Sequence, residues 1–123
     1  MAAQPIRIPG PDHPITIDPH PARIRVLLGE AVVADTTGAL TLREANYPPV
    51  TYVPRADADM TLLARSAHTT YCPYKGVCSY FDLPSTDGSS ANGVWTYETP
   101  HDAVTQIAGH LAFYPDRVTI EGA

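Results

Sequence analysis

Short runs in which hydrophobic and polar residues alternate make up most of the chain, and this alternation is typical of β-strands. Turn-forming residues separate the runs, so that Gly29 and Gly38 close the first two turns of a predicted meander. A Ser/Gly/Asn-rich stretch at 85–93 is expected to form another turn between two strands. The predicted strands cover residues 23–28, 31–34, 40–44, 50–53, 77–83, 94–97, 111–114 and 118–120.

Two further stretches have helical spacing. Residues 57–64 are expected to form one or two turns, with Asp57 as the N-cap. Residues 102–109 follow a proline, and Gly109 is typical of the position just past a helix C-terminus. Together these elements predict a mainly β domain of antiparallel strands with one or two short helices.

The beginning of the chain differs in composition from the rest. Proline accounts for 13 of the 123 residues, and six of those prolines fall within the first 21. Proline interrupts helices and central strands, so residues 1–22 are predicted to form an extended arm. Four isoleucines make this arm too apolar for a plain linker, and we expect part of it to pack on a single domain formed by residues 23–123.

Charge and hydropathy narrow the range of partners. The net charge is -5 with only eight basic residues, which argues against binding to a nucleic acid backbone. No apolar run approaches the ~18 residues of a membrane span, and the first residues lack the apolar core of an export signal. We therefore expect a cytoplasmic protein with neither nucleic acid nor membrane as a partner, while its oligomeric state stays open.

The polar and aromatic stretch at 68–80 is the densest candidate site. It contains the only lysine, both cysteines and one of five histidines. The candidate catalytic residues are His68 as proton carrier, Cys72 as nucleophile and Lys75 as anchor for an anionic group. The structural alternative is a tightly packed start of a strand whose Tyr and Lys side chains reach solvent.

Strand alternation adds an aromatic surface to this stretch. In the strands at 77–83 and 94–97, one face would place Val77, Phe81, Leu83 and Val94 in the core. The other face would group aromatic rings with polar tips, which suit a small ligand but also suit a core with hydrogen-bonded tips. The candidate ligand-binding residues are Tyr52, Arg55, Tyr80, Trp95 and Tyr97.

The two cysteines do not form a recognisable metal site. Cys72 and Cys78 are five residues apart, and together with His68 they lack a fourth ligand for structural zinc. Catalytic zinc bound by these three residues and water is the alternative. We expect no metal, no cofactor and two free thiols, since a cytosolic protein seldom forms disulfides.

Several motifs together resemble a known family. Their order looks like that of the small bacterial domain-of-unknown-function family four-two-seven, from about Asp12 to Ile120, and this family also carries a nucleotidyltransferase-like label. The matching segments are Tyr47-Pro48-Pro49-Val50, Tyr52-Val53-Pro54-Arg55, His68-Thr69-Thr70-Tyr71-Cys72-Pro73-Tyr74-Lys75-Gly76, Trp95-x-Tyr97 and Phe113-Tyr114-x-x-Arg117-Val118.

The resemblance implies a β-tent fold, in which two antiparallel sheets set at a steep angle are pinned along one edge. Relatives of that fold include the ligand-binding domain of cereblon, the Yippee proteins and B-type methionine sulfoxide reductases. They use the concave sheet face as their site, and many bind zinc through two Cys-x-x-Cys pairs. This chain has no such pair, so the zinc is not carried over.

Three functions follow as hypotheses. The first is a small-molecule-binding domain, or an enzyme of unassigned reaction, that uses the aromatic cleft for a small ligand with an anionic group. The second is a protein-interaction module that takes a peptide side chain on the same face. The third is nucleotidyl transfer, which needs Mg²⁺ and acidic ligands, for which Asp57, Asp59 and Asp82 are the candidates.

Overall fold

The computed structural model describes residues 4–85 and 91–122, and the predicted mainly β character is confirmed. Its strands are β1 (Ile15–Pro19), β2 (Ile24–Leu28), β3 (Ala31–Thr36), β4 (Leu40–Glu44), β5 (Val50–Tyr52), β6 (Ala64–Cys72), β7 (Gly76–Asp82), β8 (Val94–Thr96), β9 (Leu111–Phe113) and β10 (Thr119–Glu121).

All strand pairs are antiparallel, and they form three sheets with the orders β1-β4-β5, β10-β2-β3 and β6-β7-β8-β9. The tent resemblance implied two sheets. The count differs because the β2–β3 hairpin pairs with the last strand, β10, and so forms a layer of its own.

The four-stranded sheet is the middle layer, and each of its faces packs in a separate hydrophobic core. Phe81, Val94 and Leu111 lie in one core with residues of β2 and β3. Tyr80 and Ala112 point to the opposite face and pack in the other core with residues of β4 and β5. Alternation within β7, β8 and β9 therefore supplies apolar side chains to both faces.

A pair of backbone hydrogen bonds joins two of the sheets at their edges. Val53, just after β5, and Leu111, at the start of β9, exchange backbone hydrogen bonds of 2.8 Å in both directions. This bridge joins the edge of the β1-β4-β5 sheet to the edge of the four-stranded sheet. The two sheets then diverge from the bridge and leave a cleft between them.

The helical predictions need correction. Residues 57–64, expected to form one or two turns, contain the 3-10 helix Met60–Leu62 and only the last residue of another, Arg55–Asp57. The capping residue is Asp59, whose side chain accepts a hydrogen bond from the Thr61 backbone N–H, not Asp57. The predicted helix at 102–109 is likewise a 3-10 helix, at Asp102–Ile107.

Two strands, β1 and β6, were missing from the predicted set. β1 lies within the proline-rich arm and pairs with β4 from Ile15 to Pro19, an edge position that tolerates proline. β6 is the exposed edge of the four-stranded sheet, and its register shifts between Arg65 and Thr69. Because β6 buries little apolar surface, it lacks the hydrophobic alternation by which the other strands were recognised.

Two smaller predictions concern the burial of Val77 and the turn at residues 85–93. Val77, predicted in the core, is 46 % exposed because β8 pairs only with Ser79–Phe81 and leaves the outer end of β7 uncovered. The turn predicted at 85–93 lies partly outside the described residues, which omit 86–90. Among residues 4–85 and 91–122, no helix has the length and hydropathy needed to cross a bilayer.

Candidate functional site

The cleft between the β1-β4-β5 sheet and the four-stranded sheet contains two cavities that share their boundary. The outer cavity has a volume of about 600 Å³ and the inner cavity about 240 Å³. Both are lined by Val50, Lys75, Trp95 and Tyr114. A molecule bound in the outer cavity could therefore extend a group past these residues into the inner one.

The walls of the outer cavity are mostly apolar. Pro48 and Pro49 lead into β5 on one side, and Pro115 follows β9 on the other. Tyr47, which is 66 % exposed, stands at the rim. Cys72 also lines this cavity and is half-buried. An apolar wall with a few polar groups is typical of small-molecule sites.

The inner cavity is lined by side chains with polar tips. Tyr52 comes from the end of β5, Cys78 and Tyr80 from β7, and Tyr97 from the residue after β8. All four are buried. The Tyr80 hydroxyl lies 2.9 Å from that of Thr70, so the polar tip of this ring is already engaged.

Trp95 is the only tryptophan and forms one wall of both cavities. Its position is fixed on β8, where it pairs with Tyr80 of β7 and Ala112 of β9. The indole Nε1–H donates a hydrogen bond of 3.3 Å to the Tyr52 hydroxyl. Its ring packs against Tyr114 with the centroids 4.6 Å apart, so two aromatic rings line the boundary between the cavities.

Lys75 is held over the cleft by the tight turn between β6 and β7. The Lys75 backbone N–H donates to the Cys72 carbonyl at 3.2 Å, which closes the turn. Gly76 follows at φ +108°, a conformation that residues with a Cβ rarely adopt. The Lys75 side chain then runs inward, where its ammonium lies 5.8 Å from the Tyr97 ring centroid.

The ammonium of Lys75 forms an ion pair with Glu44, and the other carboxylate oxygen of Glu44 lies 2.8 Å from His13 Nε2. The side chains of Lys75 and Glu44 are only 12 % and 11 % exposed. His13 stacks on Tyr74 with centroids 3.9 Å apart. The arm, β4 and the β6–β7 turn therefore meet in one polar cluster at the cleft, here called the Lys75–Glu44–His13 cluster.

Burial alone would raise the pKa of Glu44, but hydrogen bonds from Lys75 and His13 outweigh it and hold that pKa below its ordinary value. Glu44 is therefore a carboxylate at neutral pH. A carboxylate held between an ammonium and an imidazole keeps its negative charge and accepts a hydrogen bond from each. The cluster presents both a donor and an acceptor to the cleft.

The phenols and the thiol of the inner cavity stay protonated at neutral pH. Burial raises the pKa of Tyr80 to about 12 and raises those of Tyr52 and Tyr97 further. Burial also raises the pKa of Cys78. A protonated phenol can donate a hydrogen bond, so the inner cavity offers donors more readily than anionic acceptors.

The structure brings most of the predicted site residues together. Tyr52, Tyr80, Trp95, Tyr97 and Lys75 line the inner cavity, and Cys72 lines the outer one. His68 and Arg55 do not line either cavity.

His68 is exposed and packs on the Tyr80 ring at 4.8 Å, one ring away from the inner cavity. Arg55 lies 5.5 Å over the Phe81 ring and bonds to Glu98. Phe81 points to the opposite face of β7 from Tyr80, which is why Arg55 lies away from the cleft.

The candidate metal ligands are dispersed. Asp57 accepts a hydrogen bond from Thr36, Asp59 caps its own turn, and Asp82 accepts from the Asn92 backbone N–H. Cys72 and Cys78 are not bonded to each other. Within residues 4–85 and 91–122, no three His, Cys, Asp or Glu side chains lie close enough to hold a metal ion together.

Glu44 and His13 were missed as site residues. Glu44 had a signal: it shares the strand face of Leu40 and Leu42, so alternation places an acidic side chain on the buried face of β4. The sequence contains no comparable signal for His13, because the approach of His13 to Glu44 depends on how the arm returns along β4. Tyr114 was likewise missed as a site residue: it was placed at the end of the predicted strand 111–114, whereas β9 ends at Phe113 and Tyr114 lines both cavities.

Comparison with known proteins identifies the family of the chain but assigns it no function. No curated protein matches the chain. A family model described as a domain of unknown function (DUF427) matches residues 16–122, which include every strand of the cleft except the first residue of β1. The chain belongs to the DUF427 family.

Proposed function

We propose that this domain binds a small molecule with a flat, apolar body and one polar group in the cleft between the sheets. The body would lie in the outer cavity between Trp95 and the proline-lined wall. The polar group would reach the inner cavity beside Lys75. The observation that carries the proposal is the position of Trp95, which is only half-buried although it lies between two paired strands and packs against the core of Tyr80 and Ala112.

The energetics of the Lys75–Glu44–His13 cluster support the same view. Removing two charges from water costs several kcal/mol for each ion, and an apolar pair would often be as stable or more stable. Lys75 lines both cavities and Glu44 lines the outer one, so a ligand in the cleft could reach the pair. We infer that it is kept for recognition, with Lys75 as anchor for an acceptor group of the ligand.

A fluorescence titration tests the proposal, because the only tryptophan lines the cavity. The probes are benzamide, benzoate and benzylamine at pH 7, which share a ring and differ in their polar group. At least one should change the Trp95 emission saturably, with a Kd of about 0.5–5 mM for so small a molecule. Absence of saturation with all three would overturn the proposal.

A matched pair of variants locates the binding. Val50→Phe would fill the boundary between the cavities and should weaken the binding of the best probe at least about tenfold. Val32→Phe makes the same change on β3, where the side chain is 40 % exposed, and should leave binding unchanged. Equal effects of the two variants would contradict a site in the cleft.

A peptide side chain as ligand is the second candidate. It is favoured by the exposed rings of Tyr47 and Tyr114 at the rim, 66 % and 39 % exposed, which a larger partner could cover. Acetyl-phenylalanine amide distinguishes the two, since its flanking amides would contact the rim. An affinity more than about tenfold above that of benzamide would favour the peptide, and similar affinities would favour the small molecule.

Nucleotidyl transfer has less support than binding. The three candidate carboxylates each serve a local contact, and none of them lines either cavity. We further propose that the domain works in the cytoplasm of a bacterium, which the two unbridged cysteines support.

A further inference from the structure

The inner cavity has an excess of hydrogen-bond donors, and this excess indicates which ligand group it accepts. The Tyr52 hydroxyl already accepts the Trp95 Nε1–H, so its own hydrogen is left to donate. Among the described residues, no acceptor is found for that hydrogen. Tyr52 is 1 % exposed and lines the inner cavity, so a partner for that hydrogen would have to enter the cavity.

Lys75 supplies the second donor. Its ammonium has three N–H groups, one of which is directed to Glu44 Oε1. Glu44 lines the outer cavity but not the inner one, whereas Lys75 lines both. Towards the inner cavity, the ammonium is therefore presented without its carboxylate.

The other lining groups of the inner cavity add no anion. Tyr80 is engaged with Thr70, and the Tyr97 ring lies beneath the Lys75 ammonium. Burial keeps the Cys78 thiol and the phenols protonated. Among the described residues, no aspartate or glutamate lines this cavity, so a cationic group would find no counter-charge from them there.

From this donor set we infer that the inner cavity recognises an acceptor oxygen, carbonyl or carboxylate, on an aromatic ligand, with Tyr52 and Lys75 donating to it. The inference rests on the proposed function and names the class of ligand. Amides and carboxylates both offer an acceptor oxygen. Because Glu44 offsets the charge of Lys75, we expect a carboxylate ligand to bind with an affinity similar to that of an amide. A benzylic ammonium of the same size offers no acceptor and should be rejected.

The test compares the three probes in wild type and in Tyr52→Phe, with Trp95 fluorescence as readout. In wild type, benzamide and benzoate should bind at least about tenfold more tightly than benzylamine. Tyr52→Phe keeps the ring and removes the donor, and it should weaken benzamide about five- to tenfold, the effect of one hydrogen bond. Tyr74→Phe is the matched control, since Tyr74 lies next to Lys75 but lines neither cavity, and it should change nothing.

A second comparison does not depend on whether the variant folds. N,N-dimethylbenzamide keeps the acceptor oxygen but lacks N–H donors, and wild-type protein should bind it within about threefold of benzamide. Benzylamine binding as tightly as benzamide, or an unchanged benzamide affinity in folded Tyr52→Phe, would overturn the inference while leaving the proposed function intact. Absence of saturable binding with every probe would overturn both.

Discussion

The ammonium of Lys75 meets the carboxylate of Glu44 across 31 residues of sequence, and both side chains are nearly buried at the cleft between two sheets. The contact joins the β6–β7 turn to the end of β4, so it spans the two walls of the cleft. Its loss should therefore affect both the stability of the domain and the shape of the binding site.

The first prediction concerns this pair. Lys75→Met should lower the free energy of unfolding by about 1–3 kcal/mol, because Glu44 would keep a buried charge with only His13 as partner. Urea unfolding measures the change. The exposed pair Arg23–Asp35 provides the control, since Arg23→Met should have a barely measurable effect. Equal losses in the two variants would mean that Lys75 is no more than a surface lysine.

The second prediction concerns acid. The pKa of Glu44 is lower in the folded protein than in the unfolded chain, so the folded state binds fewer protons and the stabilisation rises with pH. This contribution is fully present above the unfolded pKa of about 4.3 and is lost as pH falls through the folded pKa. Glu44→Gln should therefore lose less stability than wild type between about pH 5 and pH 3.

Urea midpoints across that range measure the difference between the two proteins. Asp35 and Glu98, whose pKa values are also lowered by arginine partners, remain in both and cancel in the comparison. Parallel pH profiles for wild type and Glu44→Gln would contradict the described environment of Glu44.

The third prediction concerns Gly76, which sets the direction of Lys75. Gly76→Ala should destabilise the domain by about 1–3 kcal/mol, because φ +108° is strained for any residue with a Cβ. The added Cβ would meet the His101 ring only at 3.5 Å, so the cost lies in the backbone. Gly38→Ala, without a positive φ, should be nearly neutral in thermal unfolding. If Gly76→Ala left the stability unchanged, the backbone of the turn would have to relax to accommodate the added Cβ.

The fourth prediction concerns the two thiols. Cys72 lines the outer cavity and is half-buried, whereas Cys78 is 2 % exposed and burial raises its pKa. A thiol reagent should therefore modify Cys72 much faster than Cys78 in the native protein, and saturating benzamide should slow that reaction. Cys72→Ser should remove the fast phase. A fast phase that survives in this variant would contradict the described burial.

Sequence patterns predicted the central strands because β4 and β7–β9 bury apolar side chains at alternate positions, and that alternation is visible in the chain. They missed β6 because an edge strand can fold with exposed threonines and alanines, held by pairing with β7 alone. The Val77 prediction was wrong because alternation specifies a face but not how far the neighbouring strand extends.

The residues of the candidate site were likewise predictable only where strand alternation or a turn pointed to them. Tyr80, Trp95 and Tyr97 share a strand face, and Lys75 was singled out by its turn. Glu44 reaches Lys75 through the approach of two sheets, and His13 reaches Glu44 where the arm returns along β4. Such contacts depend on tertiary structure, and spacing along the chain does not encode them. For the same reason the sequence did not indicate that Arg55 lies away from the cleft, where its neighbour across the fold is Glu98.

NMR on ¹⁵N-labelled protein titrated with benzamide shows whether the cleft between the sheets is the ligand site. The single indole N–H resonance, from Trp95, reports on the hydrogen bond to Tyr52. We expect this resonance and the backbone amides of Lys75 and Tyr114 to shift together and to saturate with one Kd. An unshifted indole resonance, or saturable shifts confined to residues around Arg55 and Glu98 on the other face, would contradict a ligand site in the cleft.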